Sequence, residues 1–537
     1  MKKYTRILTI LLAACLLLSG CGNQVAGGSS DQQTASQTSK PADEQGESTS
    51  VSTKKTPADT LVIGTMSLDE PMTLYQPECG NAYMIMRSIY EPLALYSGET
   101  GKVEPRVAES WEYEDDTTLV FTIRDGIKFA DGSACTAEDA LFSLQKCMED
   151  TSKTKSVISF VDIDNCKVDG NKLVVKMKAP TASALILLGN VGIFSKAFYE
   201  SNNGSTGMNV ATMGTGPYTA TKLQTGYNLV CTRNENYWGE APYFKTVEFR
   251  FYSESTTLMV DLETGALDMA TQLAENDVAR IHNGETSGIK LDLVSSYDLY
   301  TMRLWPKDPK FADERVRQAV AHAIDTESIA KICVGALGAP AYSNIAESIL
   351  FHIDCDTYEY DPEKAKSLLA DAGVNGLELK MVIETDNVIK SMAEVIQAQL
   401  AEVGITLTVE TYDMTTAIPK WLGINNNGEP ECDVMIIKRA MNAPDPDNTY
   451  TPFLKEDAFA ILTAPEELQE KIYKARSLMD DAQRQKLHEE IQRDFITGAY
   501  CIPLSEYKIA VAYQDYIKGY AAKEPTCTDC INVYIDQ

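Results

Sequence analysis

The sequence predicts an α/β protein with mixed sheets, built as two or more lobes. Two observations carry this. Short runs of strand type recur between segments of helical period. Roughly 480 of the 537 residues also lie beyond a polar stretch that ends near Pro57, well past the ~250–300 residues at which single cores stop growing.

In chain order, Leu61-Val62-Ile63-Gly64 is an apolar run closed by a turn residue, a buried first strand. Residues 119–123 (LVFTI) and 172–177 (KLVVKM) alternate and read as half-exposed strands. Between them Thr136 precedes Glu138 and Asp139 and caps a helix. Residues 246–251 (TVEFRF) alternate strictly. Helical period then marks 315–324, 362–372 and 392–403, the second with Pro362 in its first turn and Gly373 past its end. Strands at 377–383 and 405–410 follow these helices. There is no internal repeat.

Ahead of the first strand stands MKKYTRILTILLAACLLLSGC. Lys2, Lys3 and Arg6 precede an apolar run from Ile7 to Leu18, too short for the ~20 residues of a spanning helix and of the length of a secretory signal. Leu18-Ser19-Gly20-Cys21 resembles the bacterial lipobox, which implies a signal over 1–20 and a lipid-modified Cys21. Residues 21–58 are small and polar, unable to bury enough surface to offset their ordering entropy. They are expected to tether the folded part about 35 Å from the outer face of the cytoplasmic membrane.

The formal charge of −29 argues against nucleic acid or anionic lipid as partners. Of thirteen cysteines, Cys15 and Cys21 belong to the leader, and eleven remain, an odd number mostly scattered singly. Exported proteins in oxidising compartments carry few, paired cysteines, so these are expected to be reduced, buried apolar groups. Cys527 and Cys530 form a lone C-x-x-C, read as a reduced pair or local disulfide before a metal or redox centre.

Catalytic signatures are missing. The four histidines, His282, His322, His352 and His488, include no i, i+4 pair, and there is no G-x-S-x-G, Walker A loop or G-x-G-x-x-G. Asp445-Pro446-Asp447-Asn448 lacks the sixth-position glycine and twelfth-position acid of an EF-hand. No cofactor, metal or enzymatic activity is expected.

Several motifs recur in one order: RVAESW at 106–111, FTIRDGIKFADG at 121–132, TAEDA at 136–140, GTGPY at 214–218, RNENYWG at 233–239, FADERVRQA at 311–319, AID at 323–325 and YDPEKA at 360–365. Together they resemble the family 5 solute-binding proteins of ABC importers, the peptide, dipeptide and nickel class, from about residue 60 to 520. The resemblance implies a two-lobed periplasmic-binding-protein fold of type II, in the large peptide-binder class. Lobe I would comprise 59–295 plus 507–537, with an adjunct subdomain near 92–205, and lobe II 296–506, with two crossing segments as hinge. It further implies a monomer that closes on an extracellular solute, a peptide first, and delivers it to a permease. The alternatives are a sugar, opine or metal chelate as ligand, a membrane sensor as partner, or a surface enzyme or chaperone on the same scaffold.

The resemblance also suggests ligand contacts. Peptide binders place an aspartate three residues ahead of Asp-Pro-Asp-Asn to pair with the peptide ammonium; here that place holds Asn442, which brings no charge. Asp445 either takes over or serves as a structural turn carboxylate. Trp305 stands where the family has an asparagine, and stacks on ligand or anchors a core. Trp421 falls where peptide binders place cleft aromatics. Arg303 and Arg439 can clamp a carboxylate or be solvated. Gly216 and Tyr218 belong to a stretch whose backbone approaches the cleft.

Overall fold

The computed structural model describes residues 59–67, 80–149, 155, 157–204, 212–305, 308–424, 426, 428–438, 443–454, 464–521 and 532–535, all within the unit Thr53–Gln537. The leader, Cys21, the tether, Cys79, Arg439, Asn442, Cys527 and Cys530 lie outside these residues.

A continuous sheet organises the chain. Its strands are β1 (Thr60–Met66), β2 (Tyr218–Gln224), β3 (Asn228–Arg233), β4 (Thr246–Tyr252), β5 (Met269–Thr271), β6 (Ile289–Leu304), β7 (Glu378–Glu384), β8 (Thr406–Tyr412), β9 (Val434–Lys438) and β10 (Cys501–Gln514). Their spatial order is β8-β7-β9-β6-β10-β5-β1-β4-β3-β2, with Gly338–Ala339 as a short further strand on β10. The sheet is mixed, as the sequence predicts. β1 runs parallel to β4 and β5, and β7 parallel to β8 and β9, while β6 and β10 run antiparallel to their neighbours. Leu61, Val62 and Ile63 of β1 are all buried, because a parallel strand is covered on both faces.

The expected strands at 119–123 and 172–177 form at Thr118–Ile123 and Lys172–Lys176, inside a separate four-stranded antiparallel sheet. Helix α1 (Ala137–Glu149) belongs with it, and Phe121, Leu173, Ala140, Leu144 and Cys147 share one core. Thr136 begins α1 in an unexpected way. Its hydroxyl donates to Asp139 Oδ2 at 2.8 Å and its N–H to the same oxygen at 3.0 Å, so the third helical residue reaches back to the cap.

On the other side of the main sheet's midline, helices return between strands. They are α2 (Glu314–His322), α3 (Pro362–Asp371), α4 (Asn387–Glu402), α5 (Met414–Trp421), α6 (Glu466–Ser477) and α7 (Asp481–Thr497). Asp361 caps α3 by accepting from Lys364 N–H at 2.9 Å, Pro362 fills its first turn, and Gly373 at φ +69° ends it. Asp386 caps α4 by accepting from Ile389 N–H at 2.9 Å.

The two long strands β6 and β10 connect the halves of the sheet. They pair from Ile289↔Gln514 to Ser295↔Lys508, lose register, and resume at Leu299↔Glu506. Residues 296–298 of β6 therefore bulge at the crossing, where a bulge bends and twists its strand. Eight cysteines fall among the described residues; all are free, and Cys135, Cys147, Cys231, Cys333, Cys432 and Cys501 are buried.

Candidate functional site

Strand direction locates the site. β9 lies against β6 with Leu304↔Val434 and Tyr300↔Lys438, so its carboxyl end approaches the crossing. The parallel strands β7 and β8 bring Glu384 and Tyr412 to the same edge. From the other half, β5 pairs Met269↔Tyr513 and Thr271↔Val511, so its carboxyl end also approaches the crossing, with Met66 of β1 and Tyr252 of β4 beside it. In open α/β sheets ligands bind outside the carboxyl ends of parallel strands. Here two such edges face each other across β6 and β10.

Aromatic and charged groups gather there. Tyr300 on β6 and Tyr507 on β10 meet edge to face with centroids 5.9 Å apart. The Lys438 ammonium lies 4.4 Å from the Tyr507 ring centroid and 5.7 Å from that of Tyr300. Burial, then Asp386, pushes the Tyr300 phenol above its ordinary range, and burial likewise raises the carboxyl of Glu384, with Asp386 adding to it. At the bulge, Ser295 Oγ donates to Glu347 and Ser348 Oγ donates to Ser296 O at 2.5 Å. Glu506 pairs with Leu299 at the same level, is 4% exposed, and leaves Oε2 without a hydrogen bond among the described residues. Burial first, and the Glu347 carboxylate next, push its carboxyl up to about 8.

Those residues singled out in the sequence that the structure describes are not gathered at that edge. Arg303, Trp305 and Trp421 lie in or against the core on one side of β6. Trp421 is 2% exposed and its indole N–H donates to Val382 O at 3.0 Å. Trp305 shares that core, and its buried Nε1 has no hydrogen-bond partner among the described residues. The Arg303 guanidinium stands 5.1 Å from the Phe453 ring centroid, with Nε donating to Thr301 Oγ1 at 3.3 Å. Asp445 accepts from Arg484 at 2.7 Å and from Asp447 N–H at 3.0 Å. Tyr218 and Gly216 belong to the other half. Tyr218 is buried and donates to Phe244 O at 3.1 Å, while Gly216 packs on Ile89, whose carbonyl accepts its N–H at 2.9 Å. Arg439 and Asn442 follow β9 directly and fall outside the described residues. Sequence reasoning passed over Tyr300, Glu384, Asp386, Lys438 and Glu506. The available signal was a charged residue closing an apolar strand, as Glu384 closes LKMVI and Lys438 closes VMII.

Among the described residues no helix is long and apolar enough to cross a membrane, and no three His, Cys, Asp or Glu side chains group as metal ligands. Paired parallel edges facing across two crossing strands define a two-lobed binding protein of mixed α/β fold. The chain belongs to the bacterial extracellular solute-binding proteins, family 5, whose middle region matches residues 102–460. It is 26% identical over 474 residues to the nickel-binding periplasmic protein of Escherichia coli (strain K12), covering 82% of this chain and 87% of that protein. It is 24% identical over 489 residues to di/tripeptide-binding protein 2 of Pseudomonas aeruginosa (strain UCBPP-PA14), covering 83% and 89%. In structure it resembles the ABC transporter substrate-binding protein CtaP of Listeria monocytogenes, with TM-score 0.79, 21% identity and coverage of 90% and 100%. The family is extracytoplasmic and a non-enzymatic component of transport.

Proposed function

We propose that this chain is a membrane-anchored lipoprotein that captures an extracellular solute, a peptide first, between two closing lobes and delivers it to the permease of an ABC importer. The signal occupies 1–20, Cys21 carries the lipid, and 21–58 is the tether. Lobe I takes 59–295 and 507–537, with the adjunct near 92–205, and lobe II takes 296–506. The observation that carries the reading is the pair of strand edges, ending at Tyr252 and Thr271 on one side and at Glu384 and Lys438 on the other, turned toward one crossing. A ligand touching both edges stabilises the closed form by its differential affinity, and a permease can recognise closure. The tether raises the local concentration of loaded binder at the permease. Arg439 and Asn442, next in sequence after β9, are kept as candidate ligand contacts in this reading.

A relative that binds di- and tripeptides supports the peptide, and one that binds nickel keeps metal chelates among the candidates. The test is thermal shift of the purified protein, in reducing buffer, against peptides, N-blocked peptides, oligosaccharides, opines and metal chelates. A ligand at a hundred times its dissociation constant adds about 2.7 kcal/mol, which raises Tm by a few degrees. A library in which nothing shifts Tm would sink the reading.

A further inference from the structure

Resting on that two-lobed reading, we infer that the adjunct subdomain latches the closed protein: Ala182 N–H holds Arg476 O of the opposite lobe, and the Arg476–Asp447 ion pair sets the latch in place. Arg476 and Asp447 are thus positioning residues for capture, acting from outside the strand edges that meet the solute.

The latch joins two bodies that pack separately. Ala182 stands two residues before the short helix Ala184–Leu188, whose Leu188 is buried with Phe121 and Leu173 in the adjunct core. Arg476 lies in the last turn of α6, whose Ile472 and Ala475 are buried with Tyr450 and Phe495. The two cores share no residue. Even so, Ala182 N–H donates to Arg476 O at 2.9 Å. The last four carbonyls of a helix have no partner within it. Arg476 O, one of these, finds its donor 294 positions earlier in the chain, in the other lobe.

The side chain of Arg476 is held within its own lobe. Its Nε donates to both carboxylate oxygens of Asp447, at 2.8 and 3.0 Å. Asp447 N–H donates to Asp445 Oδ1 at 3.0 Å, and the same oxygen accepts from Arg484 at 2.7 Å. Arg484 Nε donates to Ala475 O at 3.3 Å, next to the latched carbonyl. These contacts close a ring that ties the end of α6 to the 445–447 turn. That turn begins seven residues after β9 ends at Lys438, so the latch and the strand edge share one support.

Neither Ala182 nor Arg476 belongs to β6 or β10. Rotation of one half against the other about those strands carries the two atoms apart, and a hydrogen bond does not outlast a separation of about 3.5 Å. A bond made only on closure favours the closed form, and one bond is weak enough to be released.

The experiment is hydrogen–deuterium exchange and small-angle X-ray scattering of the purified protein, its Asp447→Asn variant and its Ala182→Pro variant. Ala182 N–H should be protected in the parent. Asp447→Asn keeps that amide but weakens the hold on Arg476, and should speed its exchange about fivefold. A role of Asp447 confined to its own lobe would not move that rate. Ala182→Pro removes the donor and should enlarge the radius of gyration; where this variant does not fold, the exchange rate in Asp447→Asn decides alone. Free exchange of Ala182 in the parent, an unchanged rate in Asp447→Asn, or an unchanged radius of gyration in a folded Ala182→Pro overturns the inference. With a library compound still raising Tm, the solute-binding reading stands. If no compound does, that reading falls, and exchange and scattering still decide whether the lobes are latched.

Discussion

Arg484 donates to Asp445 at 2.7 Å with both side chains withdrawn from water, 3% and 0% exposed. An ion pair in so dry a place is strongly coupled to folding, since removing one partner strands the other charge. Asp445→Ala is expected to cost about 3–5 kcal/mol of stability. Urea unfolding of the variant measures it; a loss below about 1 kcal/mol would mean that Arg484 finds another partner or water.

Glu506 should make stability fall as pH rises. Its carboxyl titrates about 8 in the folded protein because it is buried beside Glu347, whereas an unfolded Glu titrates near ~4.3. Between those values the folded state holds a proton that the unfolded state has released. The contribution is therefore full at low pH, declines through the window at up to ~1.4 kcal/mol per pH unit, and levels off above about 8. Glu506→Gln should flatten the decline in Tm between pH 5 and 8. An unchanged profile would place the titrating group elsewhere.

The two tryptophans of one core should respond differently to the same change. Trp421→Phe breaks the hydrogen bond to Val382 O as well as opening a void, which costs about 2 kcal/mol or more. Trp305→Phe removes a buried N–H that has no partner among the described residues, so the relief of that penalty offsets part of the lost packing. Chemical denaturation of both variants should rank Trp421→Phe as the more damaging by about 1 kcal/mol; the reverse order would contradict the assignment of the two indole N–H groups.

Gly216 tolerates no side chain. A Cβ there would stand 2.6 Å from the carbonyl carbon and oxygen of Ile89, both backbone atoms that cannot swing aside. Gly216→Ala is expected to lose more than about 2 kcal/mol, by the same overpacking that penalises extra atoms in a filled core. Retention of the parent Tm would show that the 88–90 segment can yield.

Local signals in the sequence were enough for many elements and could not reach the site. Helix α3 was readable because Asp361, Pro362 and Gly373 are start and stop devices that act within a turn of themselves. Helix α4 begins at Asn387, ahead of the predicted 392, because its cap Asp386 precedes a first turn whose apolar Ile389 has no apolar repeat before it. The edge formed by Tyr300, Glu384, Lys438 and Tyr507 depends on β9 lying between β7 and β6 and on β10 lying between β6 and β5. Those adjacencies join residues up to 244 positions apart, as Met269 and Tyr513 are, and no periodicity records which strands are neighbours. The partners of Asp445 and Trp421 were hidden for the same reason: 39 residues separate each from its hydrogen-bond partner, Arg484 and Val382 respectively.

The position of β10 has a consequence for how the molecule comes into being. Residues 501–514 form a middle strand of the sheet, between β6 and β5, although they are among the last to be synthesised. Until they arrive, β5 and β6 each lack a neighbour, and neither half can complete its hydrogen bonding. Loop-closure entropy over so long a separation slows such pairing. A growing chain thus stays open until nearly its full length is available, and any truncation before Cys501 leaves two unclosed edges in place of a sheet.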